Sequence, residues 1–253
     1  MTLVVLATDS SSTWMIVNAL KVDYSNIHVA IENQISRFVL LKRRVARIGM
    51  FKVFGQLLFM LYIPMLRLSS AKRLQSLLAS AELSTTLPAE VSITRFDSVN
   101  SQACIDWLHK MQPAVVVLNG TRIVSPALLA SCNAIFLNTH CGITPAYRGV
   151  HGAYWALVRG DKKNVGVTVH LVDAGVDTGS IVSQEMINID VQDNFLTYPV
   201  KQYVAAIPLM RRAVADAFSG NLITHRRADL PSAIWYHPTL WQYWWMRLLH
   251  GVR

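Results

Sequence analysis

Acidic residues are scarce in this chain. Its 253 residues hold 15 Asp and Glu against 24 Lys and Arg, a formal net charge of +9. The deficit is local. From Arg37 to Arg73 there are nine basic residues (Arg37, Lys42, Arg43, Arg44, Arg47, Lys52, Arg67, Lys72 and Arg73) and no acid, so the rest of the chain is balanced. Cysteine is also sparse: Cys104, Cys132 and Cys141 are odd in number and poorly spaced, which points away from a disulfide framework and a zinc site. A reducing, cytoplasmic setting is the matching expectation. Long apolar runs are missing as well. Val53 to Leu66 is apolar but for Gln56, yet this stretch of 14 residues falls short of the roughly 20 that span a bilayer, and Gly55 and Pro64 weaken it. A transmembrane helix is not expected there. Met1 to Ala7 carries no basic n-region, and Thr8 and Asp9 interrupt it, so a strand is expected rather than a signal peptide.

What is present suits a globular domain with a sizeable core, since 52% of the residues are hydrophobic and 15% charged. Leu3 to Ala7 reads as a buried strand, followed by a helix that Ser10 to Ser12 can cap and that runs to about Leu20. Strand patterns recur at Ile27 to Ile31, Val91 to Phe96, Ala114 to Leu118 and Ala134 to Leu137, with helical patterns at Ser101 to Met111 and Ser125 to Ser131. Alternation of this kind predicts a parallel, doubly wound α/β sheet with helices on both faces. Ligands of such sheets sit beyond the carboxyl ends of the strands. Beyond Gly152 come a helix (Ala153 to Arg159), strand-like runs at Gly166 to Val172 and Ser180 to Ile189, and a largely helical stretch from Asp193 to Ser219 that Pro199 and Pro208 must begin or kink. The division expected is 1–192, with a helical basic insertion at about 35–75, and a helical and aromatic extension over 193–253. That extension holds Trp235, Trp241, Trp244 and Trp245.

The residues able to do chemistry gather near three turns. Asn138 and His140 end a strand, Pro145-Ala146-Tyr147-Arg148-Gly149 follows, and Val172-Asp173-Ala174-Gly175-Val176-Asp177-Thr178-Gly179 joins two later strands. An amide and an imidazole can donate to an oxygen that gains negative charge, while a carboxylate manages the proton of an attacking group. Taken singly, each has a plainer reading: Asn138 as a turn-former, Asp177 as an Asx turn, His170 as a hydrogen-bonded strand residue, His151 as a loop histidine without a partner. Arg148 reads as a structural clamp. Cys141 beside His140 invites a nucleophile reading that nothing else in the pattern supports.

Together, Asn138-x-His140, Pro145-x-Tyr147-Arg148-Gly149, Gly166-Val167-Thr168-Val169-His170 and Asp173-x-Gly175-x-Asp177-x-Gly179 resemble the catalytic domain of folate-dependent formyltransferases, a family that includes glycinamide ribonucleotide, methionyl-tRNA and sugar-nucleotide formyltransferases. Asn119 to Pro126 is similar to that family's folate-pocket segment. The likeness spans roughly residues 90 to 190, with a weaker Rossmann-like match over the first thirty. It implies transfer of a formyl group from 10-formyltetrahydrofolate to an amine without a metal. Asn138, His140 and Asp177 are then catalytic, and Gly120, Thr121, Arg122, Ile123, Val124, Val172, Asp173 and Gly175 hold the folate. An amino sugar, free or nucleotide-linked, is the expected acceptor; a purine-pathway amine and a catalytically inactive binding protein are the alternatives. The oligomeric state is left open.

The basic insertion departs from the family pattern and has three readings. It can be a solvated helix packed on the core by one apolar face. It can lie on an anionic membrane, where basic residues contribute about 1 kcal/mol each and Trp and Tyr favour the interface. Nucleic-acid binding is the third and weakest, because aromatics do not interleave with the basic cluster.

Overall fold

In a computed structural model, which describes residues 2–253, strands and helices alternate through the first half of the chain. The order is β1 (Leu3–Ala7), α1 (Ser11–Lys21), β2 (Ile27–Glu32), α2 (Arg37–Ile48), α3 (Met50–Ser80), β3 (Ser92–Phe96), α4 (Gln102–Met111), β4 (Val115–Asn119), α5 (Pro126–Leu129) and β5 (Ile135–His140). There follow β6 (Arg148–Gly149), α6 (Gly152–Val158), β7 (Gly166–Leu171), β8 (Ile181–Met186), α7 (Thr197–Ser219), β9 (Ile234–Trp235) and α8 (Leu240–His250). Several starts are written in the sequence. The Ser10 and Ser101 side chains accept from the amides of Thr13 and Cys104 to cap α1 and α4, and Thr239 with Gln242 forms a capping box on α8.

Seven strands form one sheet in the order β3-β2-β1-β4-β5-β7-β8. Pairing is parallel from β3 to β5 and antiparallel between β5 and β7 and between β7 and β8. The sheet is therefore mixed, mostly parallel and covered on both faces, as the α/β alternation predicts. Along β1, Leu3, Val5 and Ala7 enter one core with α1 and α7, while Val4 and Leu6 enter the other with α4 and α5. This is the period-two alternation of a strand buried on both sides.

Packing adds three features that the sequence left open. First, β5 runs through Asn138 to His140, so both side chains are held by a rigid strand. Second, Met210, Ala213, Val214 and Ala217 of α7, from the 193–253 extension, pack into the main core. Third, the insertion forms two helices, and Gly55 and Pro64 do not break the second. α3 runs for 31 residues, about 46 Å. A Cβ on Gly55 would overlap the Trp241 ring, so glycine there permits the close approach of α3 and α8. By length and composition α3 is able to cross a bilayer, with mean hydropathy 1.4 over an 18-residue window of which 28% is buried. Its packing, however, is that of a surface helix. Val53, Gln56, Phe59, Leu66 and Ser70 form a buried stripe at helical spacing. Phe59 sits in an aromatic cluster with Tyr243 and Phe195. Polar fastenings pin the same face: Gln56 donates to the His237 carbonyl at 2.7 Å, Asn194 to Ser70 at 2.8 Å, and Arg73 to the buried Asp193 at 2.9 Å.

Candidate active site

The sheet's strand order reverses between β1 and β4, and the Thr8 hydroxyl reaches the Gly120 carbonyl across their ends at 3.4 Å. A cavity of about 500 Å3 opens beyond the carboxyl ends of β4 and β5. Asn138, His140 and Asp177 line it, together with Gly120, Thr121, Arg122, Ile123, Val124, Val172, Asp173 and Gly175. Every residue assigned by resemblance to catalysis or folate binding is thus brought to one concavity. His170, Cys141, Gln202 and Tyr203 also border it.

Four polar side chains form the floor. Asn138 and His140 lie two apart on β5 and share one face of it. Antiparallel pairing then sets His170 of β7 directly opposite Asn138. His170 Nδ1 is 2.6 Å from the Leu171 carbonyl, which can only accept, so its proton sits there and Nε2 accepts from the Asn138 amide at 3.1 Å. This fixes the rotamer of Asn138. His140 Nε2–H likewise donates to the Tyr147 carbonyl at 2.6 Å, which leaves Nδ1, 3.3 Å from Asp177 Oδ2, as the nitrogen that can gain or lose a proton. Asp177 accepts from the Gly149 amide at 2.9 Å and lies 3.6 Å from His170. It occupies a left-handed conformation, φ 50°, uncommon for a side chain other than Asn, Asp or Gly. The turn that demands this is built by Asp173, whose carboxylate accepts from the Gly175 amide at 3.0 Å and the Thr178 hydroxyl at 2.6 Å.

Electrostatics follow from that burial. Burial alone would raise the Asp177 carboxyl, but His140, His170 and the Gly149 amide outweigh it and hold the group at about 2. Burial lowers the His140 imidazole below 6.5 against the pull of Asp177. The pair is an ionised carboxylate beside an imidazole whose Nδ1 is the position that gains or loses a proton. Burial pushes the Cys141 thiol up to about 12, so it is no thiolate nucleophile.

Not every assigned residue offers its side chain to a ligand. The Arg122 guanidinium is spent on Glu32 at 3.4 Å and on the Asn33 and Asp97 carbonyls, so this segment presents mainly backbone and the Ile123 and Val124 side chains. Arg148 reaches the Val176 carbonyl at 3.2 Å and clamps the turn carrying Asp177. His151 does have a partner, contrary to expectation: its Nε2 lies 2.8 Å from His237 Nδ1. Burial lowers His151 well below 6.5 and His237 to about 4. His170 is the hydrogen-bonded strand residue that the sequence suggested, while its position opposite Asn138 depends on the antiparallel direction of β7, which strand pattern alone does not disclose.

A mostly parallel α/β sheet thus carries an amide, two imidazoles and an ionised carboxylate on the floor of one cavity beside its switch point. The formyl transferase family model matches residues 64–203, more than half of the chain, and the chain belongs to that family. It is 40% identical over 121 residues to the phosphoribosylglycinamide formyltransferase of Mycobacterium tuberculosis (47% of this chain, 56% of that protein). It is 31% identical over 118 residues to the methionyl-tRNA formyltransferase of Chlorobium limicola (47% of this chain, 37% of that protein). The chain therefore spans about half or less of the length of these two curated relatives. Among solved structures, the N-formyltransferase from Helicobacter canadensis, crystallised with folinic acid and dTDP-3-aminofucose, superposes with a TM-score of 0.58 at 13% identity, covering 93% of this chain and 71% of that one. At that identity the likeness shows the shared fold.

Proposed function

We propose that this protein transfers a formyl group from 10-formyltetrahydrofolate to the primary amine of an amino sugar. The observation that carries the reading is the mutually contacting set of Asn138, His140, His170 and Asp177, both histidines buried, on the floor of one cavity. The folate donor supplies a formyl carbon open to attack by an amine. The cavity suits such a group: its volume lies in the roughly 300–1,000 Å3 range of small-molecule sites. Gly120 to Val124 on one side and Val172 to Gly175 on the other are the segments that would hold it.

The chain's own residues supply the rest. Asn138, oriented by His170, points an amide N–H toward an oxygen that gains negative charge. Such a donor contributes about 2.7–4 kcal/mol to barrier lowering. His140 takes the amine's proton at Nδ1, because Nε2 is already committed to Tyr147. Asp177 stabilises the imidazolium so formed and stays ionised throughout. Its left-handed turn and the Gly149 amide hold it in place, which lowers the reorganisation needed during reaction. The acceptor class is supported by the shared fold of an N-formyltransferase whose crystals contain an amino-sugar nucleotide.

The test pairs binding with turnover. Wild-type protein is expected to bind folinic acid in calorimetry and to release tetrahydrofolate when given 10-formyltetrahydrofolate and a suitable amino sugar. The absence of folinic acid binding would sink the proposal.

A further inference from the structure

Beside the catalytic cavity lies a larger one of about 1130 Å3, and the two share Gly120, Thr121 and Arg122 as a common border. The basic insertion builds its outer wall. Leu41 and Arg44 come from α2, and Leu57, Met60 and Leu61 from α3. Glu32, its one lining carboxylate, is neutralised by Arg122 and accepts the Val99 and Arg122 amides. Arg44 has no carboxylate within 4.0 Å among the described residues. The cavity is thus apolar, with one uncommitted positive charge.

The wall residues are also part of the outer surface. Met50, Phe54, Leu57, Leu61, Met65 and Leu68 are exposed and recur at steps of three and four residues. At about 100° per residue this stripe lies roughly half a turn from the stripe that fastens α3 to the fold. α8 widens it: Trp241 packs on Phe51 and Trp244 on Tyr62, while Trp245 and Leu248 are 60% and 76% exposed. An apolar surface of this extent marks an interaction site. Charge selects the partner. Lys42, Arg43 and Arg47 on α2 are exposed, and no acid occurs from Arg37 to Arg73, so the complementary surface is anionic. Tryptophans beside an apolar stripe, next to unopposed Lys and Arg, match the chemistry of an anionic bilayer surface. Spanning the bilayer does not fit, because Gln56, Ser70 and Arg73 tie the other face of α3 to the protein.

We infer that the acceptor amine is borne by a membrane lipid, an assignment that rests on the formyl-transfer reading above. α3 and α8 lie in an anionic bilayer surface. Through the stripe at Leu57 and Leu61, the larger cavity takes the lipid's apolar chain. Arg44 faces its phosphate, as guanidinium groups do for such anions. The headgroup then crosses the Gly120–Arg122 border toward His140 and Asp177. The acceptor nitrogen gains the formyl carbon as the bond from that carbon to the folate nitrogen breaks. One proton of the amine passes by way of His140 to the departing folate nitrogen.

Three readouts on the full chain test this: sedimentation with phosphatidylglycerol-containing vesicles against phosphatidylcholine alone, tryptophan-fluorescence titration with farnesyl phosphate, and folinic acid binding as a control for fold and site. Wild-type protein is expected to sediment with the anionic vesicles only. Affinity should fall about fivefold for each of Lys42→Ala and Arg43→Ala. A Leu57→Glu/Leu61→Glu double variant, both positions being exposed, should lose vesicles and farnesyl phosphate yet keep folinic acid. Arg44→Ala should weaken farnesyl phosphate alone. Equal vesicle binding by the double variant, or farnesyl phosphate that does not bind, would overturn the inference. So would a wild type that ignores vesicles but forms dimers that the double variant dissolves, because the stripe would then belong to a second copy. Failure of folinic acid binding in the wild type would instead sink the formyl-transfer reading and the acceptor assignment with it, while the vesicle readout still reports on the surface.

Discussion

The floor of the candidate catalytic cavity and the outer face of α3 break the ordinary distribution of residues in opposite senses. At the first, His140 and His170 are 5% and 3% exposed and Asp177 is ionised, so polar groups lie where apolar ones normally do. At the second, Leu61 is 75% and Leu68 81% exposed, so apolar groups lie where polar ones normally do. The difference between them is instructive. Buried polar groups persist only when hydrogen-bonded, and each of the four at the site has a named partner within the fold. The α3 stripe has no such internal compensation. The first region is complete by itself, and the second is complete only against something else.

The sharpest way to break the comparison is at Asp177. Asp177→Asn keeps the shape and the Gly149 contact but removes the charge. Turnover is expected to fall about 10²–10⁴-fold, with folinic acid affinity essentially unchanged in calorimetry. Asn138→Ala removes one oriented donor, and kcat/KM should drop by about 10²–10³. A drop in folate affinity alone would show that Asn138 binds without assisting the transfer. Arg73→Ala examines how the inner face of α3 is fastened to the fold, since Arg73 and Lys201 both pair with the buried Asp193. Urea melts should show about 1–3 kcal/mol of destabilisation, less than a fully broken buried pair because Lys201 remains. The sign with pH is set by Asp193. Its partners hold it below 3.8 in the folded state despite burial, so the stabilisation is present above that value and is lost as pH falls through the lower folded value. The gap between wild type and variant should therefore close in acid. The smallest effect concerns His140. Because burial lowers it, the acid limb of kcat/KM should lie below pH 6.5, and in the residual activity of Asp177→Asn it should move further toward acid, the carboxylate no longer holding the proton on.

Sequence patterns reach the fold where local chemistry and tertiary packing agree. Leu3 to Ala7, the capping Ser10 and Ser101, and the pairing of Asn138 with His140 two residues on are all of this kind. They fail where a long-range contact decides. The reversal of β7 that sets His170 opposite Asn138 leaves no periodic trace, nor does the Asp173 turn that places Asp177 at positive φ. Pro64 and Gly55 argue against a long helix when read locally. They sit in one because the Gln56, Phe59 and Ser70 face is anchored, and because Gly55 makes room for Trp241. Arg122 illustrates the reverse case, a basic residue in a ligand segment whose charge is consumed by Glu32.

The central claim is tested most directly by following the formyl carbon itself. Isotope-labelled 10-formyltetrahydrofolate would be incubated with the wild-type protein and a panel of amino sugars in free, nucleotide-linked and lipid-linked form. The account predicts that mass spectrometry finds the label as a new N-formyl group on at least one acceptor, with one tetrahydrofolate released for each group transferred. Folinic acid binding without label in any acceptor would contradict it and leave the site a folate-binding cavity that transfers nothing.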